Sequence, residues 1–214
     1  MHLLDLLLPE SCCGCDRDIP PAGPPLCTQC RGLARTLDPG PAQEAVDKPL
    51  RLLRGAFQYA PPLVKALHAF KYDSRRKVGV GLGALMAARW RLFPELGNPH
   101  ALIPIPLHPR KERIRGFNQA QILAESVGRR TGVPVLNLLK RRTNDPPQAR
   151  RNRSSRTGRL NNAFAASTQL LQGARLILID DVSTSGETLQ TAASALIRAG
   201  AADVRAYVLA MGIN

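Results

Sequence analysis

The chain has 214 residues, enough for one α/β domain of ordinary size and a small appended module. Its 44% hydrophobic content is that of a globular protein, and no apolar stretch approaches the ~20 residues that span a bilayer, which excludes a transmembrane protein. The formal net charge of +14 indicates either polyanionic partners or a general arginine bias with a solvated basic face.

The amino terminus predicts a cytoplasmic protein without membrane insertion. Residues 1–10 contain a short apolar run that Asp5 interrupts, with neither a basic start nor a small-residue cleavage site. We therefore do not expect a signal peptide. In a reducing compartment, a cysteine cluster is more often a metal site than a disulfide framework.

A cysteine-rich head forms the first predicted domain, residues 1–40. Four of its cysteines stand in two x2 pairs that are 11 residues apart: Cys12, Cys15, Cys27 and Cys30. Four thiolates can surround a tetrahedral Zn²⁺ and supply the folding energy that a segment without a core lacks, so we predict a structural zinc ribbon. Unliganded thiols are the alternative, and Cys13 has no assigned role. A Pro- and Gly-containing linker, residues 38–49, follows.

The second predicted domain, residues 50–214, alternates strands and helices. Strands are predicted at 55–60, 101–106, 133–136, 162–165, 175–179 and 204–210. Helices are predicted at 63–70, 82–92, 118–130 and 187–199. This alternation predicts an α/β fold, a mostly parallel sheet with helices on both faces. Lys71 and Tyr72 follow an apolar helical face and are interpreted as packing residues.

The clearest chemical motif follows the apolar run 176–179. Asp180 and Asp181 end that strand, and a small polar loop containing Gly186 opens a helix. Free N–H groups at a helix start bind phosphate, while two carboxylates can accept hydrogen bonds from vicinal ribose hydroxyls and attract Mg²⁺. The alternative is an N-capped helix after a buried strand, but two adjacent acids at that point are costly without a ligand or ion.

A second candidate site follows the strand at 101–106. Four cations precede Gly116 and a helix start at Asn118: Arg110, Lys111, Arg113 and Arg115. Guanidinium groups bind phosphate oxygens in a bidentate manner, so this segment is interpreted as a rigid loop that grips pyrophosphate. A charged surface loop before a capped helix is the alternative. His108 is given no catalytic role.

Residues 140–159 form a basic strip with eight cations and one acid, Asp145. The strip is interpreted as a lid over the phosphate site, as a DNA-binding surface or as a solvated basic loop. It contains no aromatic residue, so DNA contact there would be mainly with the phosphate backbone.

The run 176–189 resembles the motif with which type I phosphoribosyltransferases bind 5-phosphoribosyl-1-pyrophosphate (PRPP). This resemblance implies that Asp180 and Asp181 bind the ribose hydroxyls, with Mg²⁺ accompanying PRPP. It also implies that the 5-phosphate is held, largely through backbone N–H groups, by Thr184, Ser185, Gly186, Glu187 and Thr188.

Further motifs along the chain resemble the ComF family of competence-associated, phosphoribosyltransferase-like proteins. They are the paired cysteines, FKY at 70–72, the IPIPLHPR and RGFNQA runs within 103–120, and the pattern at 142–156. The resemblance implies a type I phosphoribosyltransferase fold with an N-terminal zinc ribbon, and a role in DNA uptake or recombination during natural transformation. Ser185 stands where many members have Thr, which keeps the hydroxyl.

Three functional interpretations follow. In an enzyme, pyrophosphate would leave C1 of the ribose while Asp180, Asp181, Arg110 and Arg113 form the catalytic set, aided by Lys111 and Arg115. In a binding protein, the PRPP pocket would be a sensor or relic and the basic surface would hold single-stranded DNA, with a competence helicase as a candidate partner. A zinc-ribbon regulator whose α/β domain only dimerises would leave the acidic pair unexplained.

Overall fold

The computed structural model of the protein describes residues 10–20, 23–38, 45, 48–72, 75–142, 163–167 and 172–212. The head begins with two short antiparallel strands, β1 (Glu10–Ser11) and β2 (Asp18–Ile19), and continues into helix α1 (Thr28–Leu33). Cys27 is the N-cap of α1, since its side chain accepts a hydrogen bond from the Cys30 N–H. The second pair of cysteines is thereby fixed at a helix start.

The second module contains both strands and helices, in places with two helices or three strands in succession. They are β3 (Leu52–Gln58), α2 (Leu63–Tyr72), α3 (Arg76–Arg89), β4 (Ala101–Pro104), α4 (Pro109–Arg115), α5 (Gln119–Thr131), β5 (Leu139–Arg141), β6 (Phe164–Ala166), β7 (Arg175–Ser183), α6 (Glu187–Arg198) and β8 (Asp203–Met211). Four strands form a parallel sheet in the order β3-β8-β7-β4. The strands β5 and β6 form a separate antiparallel pair.

The sheet is covered on both faces. Along β7, Ile177 and Ile179 lie in one core with residues of α2, α3 and α5. Leu176 and Leu178 lie in the other core, with residues of α6. Because side chains alternate between the faces of a strand, a parallel strand packed on both sides is apolar throughout. The predicted parallel sheet with helices on both faces is confirmed.

Several segments differ from the sequence-based predictions. No strand was predicted at β5, α3 begins at Arg76 and not at residue 82, and β7 continues through both acids to Ser183. The predicted cationic loop is helix α4, which begins with Pro109 at its first turn and ends at Gly116 in the left-handed conformation (φ 73°). The predicted strand 133–136 is not a strand. It makes one parallel bridge, Val135 to Leu102, beside the edge of β4, and Pro134 cannot donate a backbone hydrogen bond.

The head packs directly against the second module. Cys12, Leu26 and Cys30 belong to the same buried cluster as α2 and α3. The segment after α1 also extends the sheet edge, since Gln58 of β3 donates its N–H to the Arg35 carbonyl at 2.8 Å. The two predicted domains therefore share a core. In the described part of the chain, none of the helices combines the length and apolar character needed to cross a membrane.

Candidate functional site

The four paired cysteines converge in the head. The Sγ atoms of Cys12, Cys15, Cys27 and Cys30 all lie within 4.8 Å of one another. Cys15 Sγ is 3.7 Å from Cys27 Sγ, close to the edge of about 3.8 Å that four Zn–S bonds of about 2.3 Å would give. This donor set can bind a metal such as zinc.

Hydrogen bonds and burial shift the pKa values of two of these thiols in opposite directions. Burial raises the pKa of Cys12, but the N–H groups of Cys27 and Gly14, at 3.2 and 3.4 Å, lower it overall to about 6. Burial raises the pKa of Cys30 to about 12, and the neighbouring cysteine side chains raise it further. Cys12 and Cys30 are buried, whereas Cys27 is half-buried and Cys15 is exposed. A divalent cation among the four sulfurs would deprotonate the thiols that coordinate it.

The acidic pair lies at the carboxyl end of β7, in the middle of the parallel sheet. Asp180 Oδ1 accepts the Asp181 N–H at 2.8 Å, and Asp181 Oδ1 accepts the Val182 N–H at 2.7 Å. Ligands of open α/β sheets bind outside the carboxyl ends of the strands. The pair therefore occupies the edge at which such sheets carry their sites.

The two acids have different surroundings. Asp181 Oδ2 lies 2.7 Å from Lys71 Nζ, and the two side chains are only 14% and 22% exposed. Burial raises the pKa of Asp180 well above its ordinary value, and the negative charge of Asp181 raises it further. The Asp181 N–H and the Lys71 ammonium oppose that rise without cancelling it. Among the described residues, Lys71 is the one cation paired with these two adjacent acids, so a hydroxyl donor or a second cation would relieve the remaining charge.

The segment after the acids is an open loop at a helix start. Gly186 is the N-cap of α6 in the left-handed conformation (φ 74°), which a glycine adopts without strain. The Glu187 N–H donates to Ser185 Oγ at 3.4 Å. The neighbouring side chains that were predicted to contact the phosphate, Thr184, Ser185, Glu187 and Thr188, are exposed. The N–H groups of a first helical turn have no partner within the helix, so the loop can accept an anion.

The four predicted phosphate-gripping cations lie on α4, beyond the carboxyl end of the edge strand β4. His108 caps this helix, because its Nδ1 accepts the Arg110 N–H at 3.2 Å. Arg110, Lys111 and Arg113 are exposed. Arg115 is half-buried, and its guanidinium donates to Gln119 Oε1 at 3.0 Å. The structure thus orients Arg115 within the fold and leaves the other three cations at the surface.

The FKY segment at the end of α2 contacts the two predicted sites. The Phe70 ring stacks on Phe117 with centroids 5.5 Å apart. Lys71 pairs with Asp181, and the Arg115 guanidinium lies 5.4 Å from the centre of the Tyr72 ring. The interpretation of Lys71 as a packing residue was wrong. Leu63, Leu67 and Lys71 share one row of the helix, and a cation in line with two buried leucines is a sequence signal for a buried acidic partner.

The basic strip is described only in part. Lys140 and Arg141 belong to β5, where Arg141 lies over the Phe164 ring at 5.4 Å from its centroid. Residues 143–159, which contain most of the strip, lie outside the described residues. The lid and DNA-binding interpretations of that segment stay predictions.

Comparison with known proteins agrees with this geometry. Residues 115–213 match the phosphoribosyl transferase domain family. The chain is 32% identical over 191 residues to the DNA utilization protein YhgH of Shigella flexneri, which covers 86% of this chain and 83% of that protein. Competence protein F of Haemophilus influenzae is 30% identical over 158 residues, with 71% and 69% covered. Competence protein ComFC of Bacillus subtilis is 30% identical over 163 residues, with 75% and 64% covered.

These relatives resemble the chain over most of its length, and the matched domain contains the acidic loop, α5 and the strands β7 and β8. The fold is therefore the type I phosphoribosyltransferase fold, a parallel sheet with helices on both faces, preceded by a four-cysteine head. The chain belongs to the ComF family.

Proposed function

We propose that the protein binds PRPP with Mg²⁺ at residues 180–188 and handles DNA during uptake or recombination in natural transformation. The observation that carries the proposal is the pair Asp180-Asp181 near the carboxyl end of a central parallel strand, which ends at Ser183 and leads into an open loop at a helix start. The names of the relatives, competence protein and DNA utilization protein, support the role with DNA.

Each part of the site has a distinct role in this proposal. Asp180 and Asp181 accept hydrogen bonds from the vicinal ribose hydroxyls, and the loop 184–188 donates N–H and hydroxyl groups to the 5-phosphate. Mg²⁺ would neutralise part of the pyrophosphate charge. The fork-shaped guanidinium groups of Arg110, Arg113 and Arg115, with the Lys111 ammonium, bind the remaining phosphate oxygens.

Calorimetric titration of the intact protein with PRPP and Mg²⁺ tests the site. We expect saturable binding that the double substitution Asp180→Asn/Asp181→Asn abolishes. Asp18→Asn, which neutralises an exposed acid of the head, is the matched control and should bind as the wild type does. A wild-type protein that does not take up PRPP would refute the assignment.

Binding of PRPP does not by itself imply that the protein releases pyrophosphate from it. If the protein is an enzyme, the cations of α4 stabilise the charge that develops on the departing pyrophosphate, and the reaction needs little covalent chemistry from the chain. Pyrophosphate release over a panel of nucleobases measures this directly. Release that depends on one base, and that is lost in Arg113→Ala, would identify a transferase and its acceptor.

A non-catalytic protein that binds single-stranded DNA and keeps the PRPP pocket as a sensor is the second candidate. The net charge of +14 favours it, because lysine and arginine neutralise phosphates and release counterions. Its affinity for DNA should fall steeply with salt. Reversing the charge of Arg150, Arg151 and Arg153 should weaken binding to all sequences if the basic strip is the contact surface.

A further inference from the structure

The outer face of α2 carries an exposed row of cationic and aromatic side chains. Lys65, His68 and Tyr72 stand at positions i, i+3 and i+7, so they share one face of the helix, and all three are exposed. The opposite face is buried in the core through Leu63, Ala66, Leu67 and Phe70. The apolar residues of α2 therefore pack into the core on its inner side. The rings of His68 and Tyr72 on its outer side do not take part in that packing.

Tyr72 is the last residue of this row. Its ring lies 4.5 Å from the His68 ring and 5.4 Å from the Arg115 guanidinium, measured to the ring centroid. The residue is nevertheless 62% exposed, so the side chain can be reached by a base from solvent. Arg115 is itself oriented by Gln119 at 3.0 Å. The ring is thus supported by two neighbours instead of projecting freely into solvent.

Positive charge surrounds the row. Lys65 lies at one end of it, and Arg115 lies at the other. Arg76, at the start of α3, extends over the Phe117 ring, which stacks on Phe70 just before Lys71. The nearby carboxylate of Asp181 is paired with Lys71, which reduces its repulsion of an anion. Rings alternating with cations are the pattern with which proteins hold single-stranded nucleic acid: bases stack and phosphates are neutralised.

We propose that Lys65, His68, Tyr72 and Arg115, the α2 platform, bind single-stranded DNA by stacking at least one base on the Tyr72 ring. This inference rests on the DNA role proposed above, and it assigns that role a surface different from the basic strip. Lys65 contacts a phosphate beside the stacked base, and Arg115, which is also part of the proposed PRPP site, supports the Tyr72 ring. The row offers rings and charges instead of aliphatic side chains, so it fits a polynucleotide better than an apolar helix of another protein.

Fluorescence anisotropy of the full-length protein with a labelled oligothymidylate tests the platform. Tyr72→Ala should weaken binding by roughly 5- to 150-fold, the range that follows from the loss of one base stack. Tyr72→Phe keeps the ring and should bind within about twofold of the wild type. A thermal melt of each variant checks that the fold is intact. Because the ring is exposed, we expect the two substitutions to leave the melting temperature unchanged.

Two further experiments separate the contribution of base stacking to DNA binding from that of phosphate contacts. On an oligonucleotide of abasic sites, Tyr72→Ala and the wild type should bind equally, because no base is present to stack. In a salt series, Tyr72→Ala should keep the wild-type slope of log affinity against log salt, while Lys65→Ala should reduce its magnitude by about 0.7, the value of one phosphate contact on a single strand.

The outcomes distinguish this inference from the broader proposal. If the wild type does not bind single-stranded DNA, both the platform and the DNA role fail. If the wild type binds and Tyr72→Ala binds equally well, the platform alone is refuted. If Tyr72→Ala weakens binding of free adenine or thymine but not of the oligonucleotide, the ring serves a small acceptor base, and the platform is likewise refuted.

Discussion

Lys71 Nζ lies 2.7 Å from Asp181 Oδ2 and joins the end of α2 to the end of β7, across more than a hundred residues of sequence. The residues on either side of Lys71 contact the segment that leads into α5: Phe70 stacks on Phe117, and Tyr72 lies against Arg115. The end of α2 therefore holds the acidic pair and the cationic helix α4 in one assembly.

Replacing Lys71 by Met keeps most of the side chain but removes the charge that pairs with Asp181. Because the two side chains are mostly buried, we expect the free energy of unfolding at pH 7 to fall by about 1–2 kcal/mol. Urea denaturation measures this. A double-mutant cycle with Asp181→Asn isolates the pair, and losses that add without a coupling energy would show that the ion pair contributes nothing.

Replacing Asp180 by Asn should stabilise the protein at neutral pH. The pKa of Asp180 is raised in the folded state above its ordinary value of 3.8. The protonated carboxyl of Asp180 therefore contributes its full share of the folding free energy below pH 3.8. This contribution is lost as the pH rises through the raised pKa of the folded state. The amide introduced by Asp180→Asn does not ionise, and its oxygen can still accept the Asp181 N–H.

The gain from Asp180→Asn in the free energy of unfolding should therefore grow from about pH 4 towards neutrality. Denaturation at a series of pH values is the measurement. Asp181→Asn is the matched comparison, and it should destabilise the protein at pH 7 because it breaks the pair with Lys71. A gain that did not change with pH would argue against a raised pKa at Asp180.

Gly79 of α3 packs closely against the ring of Phe70, the residue before Lys71. A Cβ at this position would lie 2.2 Å from Phe70, whose ring stacks on Phe117. Ala favours a helix over Gly by about 1 kcal/mol, but overpacking a core costs about 1–3 kcal/mol. We expect Gly79→Ala to destabilise the protein in urea. Gly32→Ala, in α1 with nothing within 4 Å of its added Cβ, is the control and should be neutral or stabilising.

Replacing Cys27 by Ser should remove the metal from the head. Metal analysis of the purified protein should give about one zinc per chain for the wild type and a large loss for the variant. Because Cys12 and Cys30 are part of the core shared with α2 and α3, the melting temperature of the whole chain should fall as well. Cys13→Ser should keep the metal. Equal zinc content in Cys27→Ser and the wild type would contradict a four-thiolate site.

The sequence predicted the strands of the parallel sheet but not helix α4. The strands β3, β4, β7 and β8 and the helices that flank them follow from apolar periodicity, which is a local property. Helix α4 was missed although its capping signals are also local: Pro109 in the first turn, His108 before it and Gly116 after it. Its cluster of charges suggested a loop. The segment 133–136 has the apolar composition of a strand, but it makes only one bridge to β4.

The sequence by itself determined the features that depend on neighbours a few residues away. The x2 spacing of the cysteines predicted a cluster whose Sγ atoms lie close together. The apolar run before the two acids and the glycine-containing loop after them predicted a strand and a helix start, which are β7 and α6. Only the tertiary structure decided which cation pairs with Asp181, how the head joins the core, and which side of α2 stays exposed with Tyr72. These depend on contacts between segments far apart in the chain, which are determined by the packing of the whole fold and not by local propensity.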